Sequence, residues 1–131
     1  MGTYKTTEQD FQIFQEAVAF WQRKLGMLSW QLYTRHTFMK DQQGYSVVNL
    51  SARCATLTLS TTLSNYDEPP GDRIIRRIAF HEVCEVLMAR MMICAEARYV
   101  QRDELEEARH EVIRTLESVI FEAGNYGPVA Q

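Results

Sequence analysis

The sequence has few cysteines, few prolines and no long apolar run. Its 131 residues include three cysteines and three prolines. Cys54, Cys84 and Cys94 are widely spaced in apolar stretches and form no CxxC pair. This pattern predicts reduced cysteines rather than a disulfide framework or a zinc knuckle. No apolar segment reaches the roughly 20 residues of a membrane span, and the N-terminal residues include no apolar signal region. We therefore expect a cytoplasmic protein.

The charge and motif content exclude further classes of function. The net charge of −3 gives no general attraction to nucleic acid or to an anionic membrane. The sequence contains no glycine-rich phosphate loop, no serine or cysteine nucleophile motif, and no basic patch with interleaved aromatic residues. Hydrophobic residues make up 46% and charged residues 24%, which is typical of one globular domain over residues 1–131. We expect no nucleic acid and no membrane among its partners.

The hydrophobic pattern divides the chain into a helix, strands and two further helices. The first helix has apolar positions at helical spacing, a threonine cap and a glycine at its end. Residues 40–45 are typical of a hairpin turn, and residues 65–72 form a loop with two prolines. The predicted helices cover 7–25, 73–97 and 103–122, and the predicted strands cover 29–39, 45–51 and 52–63. This order predicts an α+β domain with a small three-stranded sheet on one side and helices on the other.

The second helix carries the most informative stretch, AFHEVCEVLMARMM, at residues 79–92. On a helical wheel His81 and Glu85 share one stripe with several apolar residues, and Glu82 lies beside it. The other sides of this helix are also mostly apolar, so we expect it to be largely buried. A buried carboxylate without a partner costs several kcal/mol or takes up a proton. A metal, an arginine or a water-filled cleft is therefore expected near these charges.

Two interpretations of these charges remain open from the residues alone. His81 and Glu85 are four residues apart, so both side chains reach one point above the helix and could hold a metal. The one-residue offset of Glu82 is that of the glutamate that contacts a metal-bound water in HExxH proteins. The alternative is a buried ion-pair network in which an arginine neutralises the glutamates. The candidates for that role are Arg53, Arg76 and Arg77.

Three segments together resemble a known family. HEVCEVLMARM follows a proline-containing loop and the strand RCATLTLS, and this arrangement resembles the zincin superfamily of metallopeptidases. The segments KLGMLSW (24–30), RCATLTL (53–59) and EARHEVIRTLESVIF (107–121) are similar to those of small phage-encoded metallopeptidases. The resemblance covers most of the chain. It implies a zincin-like fold, an edge strand beside the active-site helix, and a location in the host cytoplasm.

The resemblance also implies a set of metal ligands. These are the first histidine of the motif, the residue four positions later and an acidic residue of the next helix, which correspond to His81, Glu85 and Glu107. Glu107 lies opposite the apolar face of its predicted helix, so Glu111 and His110 remain alternatives. The motif departs from the family because Glu85 stands where a second histidine is expected. A His-Glu-Glu set is harder and more anionic than His-His-Glu. The sequence therefore leaves three predictions open: a zinc site, a site for another divalent ion, and a metal-free protein.

Two functions follow from the resemblance. The first is metal-dependent hydrolysis of a peptide bond, with Glu82 as the general base and a peptide or protein as the substrate. The alternative is a non-catalytic pseudo-metallopeptidase that binds a protein partner, for example a host factor. A stable metal-free protein would favour the second function.

Overall fold

A computed structural model describes residues 2–64, 66, 69–97 and 99–124. It confirms the predicted α+β organisation, with three α-helices and two small sheets among these residues. The elements are β1 (Thr3–Lys5), α1 (Glu8–Lys24), β2 (Gln31–His36), β3 (Gly44–Asn49), β4 (Cys54–Leu59), β5 (Thr62–Ser64), α2 (Asp72–Glu96) and α3 (Arg102–Leu116), followed by a π-helical segment, Glu117–Phe121. The predicted proline-containing loop falls partly on residues 65, 67 and 68, which lie outside the described residues.

Helix α1 begins where its sequence predicts. The Thr7 hydroxyl accepts a hydrogen bond from the Asp10 backbone N–H, and the Asp10 carboxylate accepts one from the Thr7 N–H. This reciprocal cap satisfies two N–H groups that a helix start otherwise leaves unpaired. The Tyr4 hydroxyl donates to the same carboxylate at 2.7 Å, which ties the short strand β1 to the helix. The cap therefore fixes both the start of α1 and the position of β1.

Strand β4 lies in the centre of the three-stranded sheet, with β2 parallel to it on one side and β3 antiparallel on the other. The predicted hairpin turn at 40–45 is therefore wrong, because this segment crosses from β2 to β3 without pairing them. The tight connection is instead the β3–β4 turn. Burial explains the order: Ala55, Leu57 and Leu59 of β4 are buried, whereas β2 and β3 alternate between half-buried and exposed residues.

The predicted strand 52–63 is interrupted at Ser60. The buried Ser60 hydroxyl accepts hydrogen bonds from the backbone N–H groups of Met39 and Thr62 at 3.1 and 3.2 Å. These bonds stabilise a bend after β4, so that β5 leaves the main sheet and pairs with β1 as a separate two-stranded sheet. Side chain to backbone bonds of this kind compete with continuous strand pairing. The sequence pattern alone did not predict this second sheet.

The core lies between helices α1 and α2 and one face of the main sheet. The face of α2 that enters it has Glu82 in its middle, and its other side chains are small or branched apolar residues at helical spacing: Ile75, Ile78, Ala79, Val83, Val86 and Ala89. The expectation that His81 and Glu85 lie in a buried helix is wrong, because their side chains are 69% and 59% exposed. Packing against α1 and the sheet buries the side of α2 that contains Glu82, whereas His81 and Glu85 lie on an exposed side.

Two expectations from composition concern the cysteines and membrane spans. Cys54, Cys84 and Cys94 are free and half-buried, which agrees with the prediction of reduced thiols. Within the described part of the chain, every helix is too short or too polar to cross a lipid bilayer.

Candidate functional site

Glu82 is a charged residue in the middle of the buried face of α2. It is 5% exposed. The Ser46 hydroxyl, on β3, lies 2.8 Å from Glu82 Oε1, to which it donates, and 3.1 Å from the Glu82 carbonyl oxygen. Burial is the largest influence on the pKa of Glu82 and raises it. The Ser46 hydrogen bond and the nearby His81 lower this pKa, and the charge of Glu85 raises it. The net result is a raised pKa. Glu82 is therefore a carboxyl group whose proton is held more tightly than in water.

Strand β3 approaches Glu82 closely because it begins with a glycine. A Cβ atom at Gly44 would lie 3.0 Å from Glu82 Oε2, 3.0 Å from the Thr58 carbonyl oxygen and 3.1 Å from Ile78 Cγ2. No side chain fits there without moving β4 or α2. The glycine therefore leaves room for the Glu82 carboxylate beside the edge strand.

Glu82 lines a cleft between the start of β3 and the N-terminal half of α2. The cleft has a volume of about 500 Å³. Exposed His81 and Arg77 lie along α2 at its rim, and the Gln43 amide donates to the Tyr66 hydroxyl at 3.1 Å on the other side. Its lining residues are Gln42, Gln43, Gly44, Tyr66, Ile74, Arg77, Ile78, His81 and Glu82. The cleft thus brings a buried carboxylate, an imidazole and a guanidinium to one concave surface.

The structure brings His81 and Glu85 together as the sequence predicted. Their Nε2 and Oε1 atoms are 3.3 Å apart on the exposed side of α2. Two tetrahedral ligands about 2.0–2.1 Å from a zinc ion would be separated by about 3.3 Å, so this pair fits two positions of a divalent ion. The same separation also lies within the range of a histidine–carboxylate ion pair on the helix surface.

Glu107 lies apart from this pair. Its carboxylate forms an ion pair with Arg90 of α2 at 3.3 Å, and Glu111 pairs with the same guanidinium at 3.0 Å. Arg90 is five residues beyond Glu85, about 7.5 Å further along the helix axis. His110 is exposed, with Nδ1 2.9 Å from the Glu106 carbonyl oxygen. Within residues 2–64, 66, 69–97 and 99–124 no three His, Cys, Asp or Glu side chains are placed to hold one ion.

The alternative prediction, a buried ion-pair network around Glu82, is also not found among the described residues. Arg53 donates to the Ser29 hydroxyl at 2.6 Å and lies over the Trp30 ring. Arg77 is at the cleft rim. Across the described residues, none of the candidate arginines forms an ion pair with Glu82. A neutral hydroxyl and an open cleft therefore compensate its burial.

Sequence reasoning missed Ser46 and Gly44 as parts of this site. Alternation along GYSVVN does place both residues on one face of β3, and that face is half-buried. The position of this face against Glu82 depends on the strand order, which local patterns do not determine. Cys84 is half-buried beside the site, and burial, together with Glu85, raises the pKa of its thiol. The thiol is therefore protonated at neutral pH and is a poor nucleophile.

Comparisons of the chain with protein-family models, with curated protein sequences and with solved structures find no match.

Proposed function

We propose that this chain is a metallopeptidase-like protein with a zincin-like arrangement, in which the cleft between β3 and α2 hydrolyses a peptide bond. The observation that carries the proposal is the Glu82 carboxyl group, buried and with a raised pKa, at the wall of a cleft that also contains His81. Carboxyl groups with raised pKa values in clefts are typical of general bases, because such groups hold and release a proton near neutral pH.

The proposed roles of the residues follow from their positions. Glu82 takes the proton of the attacking water and donates it to the leaving amine. Ser46 holds Oε1, which leaves Oε2, on the side of Gly44, to accept the proton. His81 and Glu85 would hold a divalent ion, and such an ion would supply Lewis-acid polarisation of the scissile carbonyl and a lower pKa of water. Water molecules or the substrate would complete the coordination, as magnesium and similar ions allow.

A peptide substrate is favoured because an edge strand borders the cleft. Strand β3 is the edge of the sheet next to α2, and it begins at Gly44 in the cleft. The free backbone N–H and C=O groups of an edge strand can pair with an extended peptide. A peptide added along β3 would carry its backbone past Glu82. We therefore propose an extended peptide, unfolded at the cleavage site, as the substrate.

Metal binding and peptide hydrolysis test this proposal together. We expect the purified chain to bind Zn²⁺ or Mn²⁺ and to cleave an unstructured peptide, and a chelator to abolish cleavage. His81→Ala and Glu85→Ala should each weaken metal binding roughly tenfold or more, because losing even an outer partner of a ligand costs 10- to 100-fold. Glu107→Gln should leave affinity unchanged, since Arg90 holds that carboxylate. Equal affinity of the wild type and His81→Ala in calorimetry would contradict the proposed ligands.

A non-catalytic binding module is the second candidate function. The ion pairs of Arg90 with Glu107 and Glu111 favour it, because they engage Glu107, the third ligand that the resemblance implies, and its alternative Glu111. In that case the cleft and edge strand bind a protein partner without cleaving it. A melting temperature that does not respond to chelators or added metal is then expected.

Glu85→His tests whether the helix keeps the geometry of an HExxH site. The substitution restores the HExxH spacing on a helix face that already brings residues 81 and 85 to within 3.3 Å. If the scaffold is a peptidase that lost its ligand, Zn²⁺ affinity should rise about tenfold or more over the wild type. Glu85→Gln serves as the control, because it removes the same charge without adding an imidazole. A Zn²⁺ affinity of Glu85→His no higher than that of the wild type would show that the surrounding residues do not favour zinc.

A further inference from the structure

A second cleft lies at the other end of α2, away from Glu82. It has a volume of about 250 Å³ and is bounded by the loop after α1, the turn before β4, and helices α2 and α3. Buried Leu25, Met27, Trp30 and Val86 form part of its wall. Three arginines from three different elements line it: Arg53, Arg90 and Arg114. Arginines from separate elements that share one small cleft concentrate positive charge there.

Arg53 enters this cleft at a conformational cost. Its φ angle is 53°, in the left-handed region that glycine or asparagine normally occupies. Its backbone N–H donates to the Leu50 carbonyl at 3.1 Å, and its carbonyl accepts from the Gln31 N–H at 2.8 Å. These bonds account for the backbone conformation but not for an arginine side chain. The guanidinium is fixed by the Ser29 hydroxyl at 2.6 Å and by the Trp30 ring, with 4.9 Å to the ring centroid.

The charges of the cleft do not cancel. Three guanidinium groups line it, and two carboxylates, Glu111 in its wall and Glu107 beside Arg90, offset part of their charge, so these five side chains together carry a formal charge of +1. Arg90 is bound by Glu111 and Glu107. Arg114 is exposed and has no ion-pair partner among the described residues. The Ser118 hydroxyl also lines the cleft and can donate to an anion, whereas the Thr115 hydroxyl donates to the Glu111 carbonyl oxygen at 3.0 Å.

We propose that this cleft binds a phosphomonoester. A phosphomonoester carries a charge of about −1.5 to −2 at neutral pH. Arg53 and Arg114 form no ion pair with a carboxylate among the described residues, so both guanidinium groups can bind it. Guanidinium groups bind phosphate oxygens in a bidentate geometry, and the fixed guanidinium of Arg53 is already ordered for this role. The volume is below the roughly 300–1,000 Å³ of pockets for larger ligands, so it accommodates the phosphoryl group and its immediate linkage.

Titration of the whole chain with defined phosphate compounds tests the proposal. The probes are inorganic phosphate, O-phosphoserine, a phosphoserine peptide, and dimethyl phosphate as a monoanionic control. We expect saturable binding of the first three, by amide chemical shifts or calorimetry, and weakening at high salt. A phosphopeptide that binds more tightly than phosphoserine indicates a phosphorylated protein as the source of the ligand, and equal affinities indicate a small molecule. Dimethyl phosphate binding as tightly as phosphoserine, or no saturable binding up to about 10 mM, would overturn the proposal.

Two variants locate the ligand. Arg53→Asn removes the guanidinium but keeps a residue that tolerates the left-handed conformation, so the fold should be retained. Arg114→Gln removes an exposed charge. Each is expected to lower phosphoserine affinity roughly tenfold, the effect of losing a charge-assisted hydrogen bond. Arg77→Gln and Glu82→Gln, in the first cleft, should leave affinity unchanged. Unchanged binding in both Arg53→Asn and Arg114→Gln would overturn the site, whatever the fate of the proposed peptidase activity.

Discussion

Replacing Glu82 by glutamine should lower the rate of the proposed peptide hydrolysis by a factor of about 10²–10⁴ and, at neutral pH, stabilise the fold. Glutamine keeps the shape of the side chain and an oxygen that accepts the Ser46 hydrogen bond, but it can neither take up a proton nor carry a buried charge. A general base contributes about 10²–10⁴ to the rate, so kcat/KM should fall by that factor. The substrate KM should change little, since the cleft keeps its shape.

The stability effect depends on pH in a direction that follows from the raised pKa of Glu82. The folded state binds this proton more tightly than the unfolded state does. Stability therefore falls as pH rises from the ordinary range of a glutamate through the raised pKa. Glu82→Gln removes that loss, so the gain in free energy of unfolding, on the order of 1 kcal/mol, should be present at pH 7 and absent near pH 4.

Denaturant unfolding of the wild type and the variant at both pH values measures this effect. Glu85→Gln is the matched control, because it removes an exposed glutamate one turn away and should show no comparable pH-dependent gain. A Glu82→Gln protein that is less stable than the wild type at pH 7 would contradict the account of Glu82 as a desolvated carboxylate. Full hydrolytic activity in that variant would contradict its role as the base.

Replacing Gly44 by valine is expected to cause the largest loss of stability. Its Cβ would lie 3.0 Å from the Thr58 carbonyl oxygen, which is backbone of the central strand, as well as against Glu82 and Ile78. The strand and the helix must separate to admit the side chain, and overpacking of this kind costs about 3 kcal/mol. The melting temperature should fall by roughly 10 °C. The added methyl groups also occupy the wall of the cleft, so ligand binding there should be lost.

Gly71→Ala is the control for this substitution. A Cβ at Gly71 meets no atom within 4 Å, and its φ of −69° is ordinary for any residue. Gly71 is the N-cap of α2, where alanine is less favourable than glycine, so we expect this variant to lose at most about 1 kcal/mol. Thermal unfolding of the two variants side by side separates crowding from a general effect of losing a glycine. Equal stability of the valine and alanine variants would show that β3 is free to move away from α2.

The sequence predicted the helices and the three main strands well because their signals are local. Each signal depends on neighbours a few residues away: the cap at Thr7, the alternation in residues 45–49 and the helical spacing in α2. The strand order was not predictable in this way. Residues 40–45 contain turn-forming residues in either topology, and the central place of β4 results from how much apolar surface each strand must bury.

The site was predicted only in part for a related reason. The His81–Glu85 pair depends on helix geometry, which the spacing fixes, and the structure has the two side chains together. Which face of α2 is buried depends on its partners, because apolar residues occur on several sides of this helix. A small-residue pattern at Ala79 and Ala89, one to two turns on either side of Glu82, was the available signal for the buried face. The ion pair between Glu107 and Arg90 could not be predicted from the sequence, because α2 and α3 meet only in the tertiary structure.

Helix α3 is attached to the rest of the fold more weakly than α1 and α2 are attached to the sheet. Among the described residues of this helix only Ala108 is fully buried, and Arg90 connects it to α2 through partly exposed ion pairs. Such pairs contribute little each and are screened by salt. We therefore expect helix α3 to open locally while the sheet, α1 and α2 stay folded, so that its amide hydrogens exchange with solvent faster than those of α2.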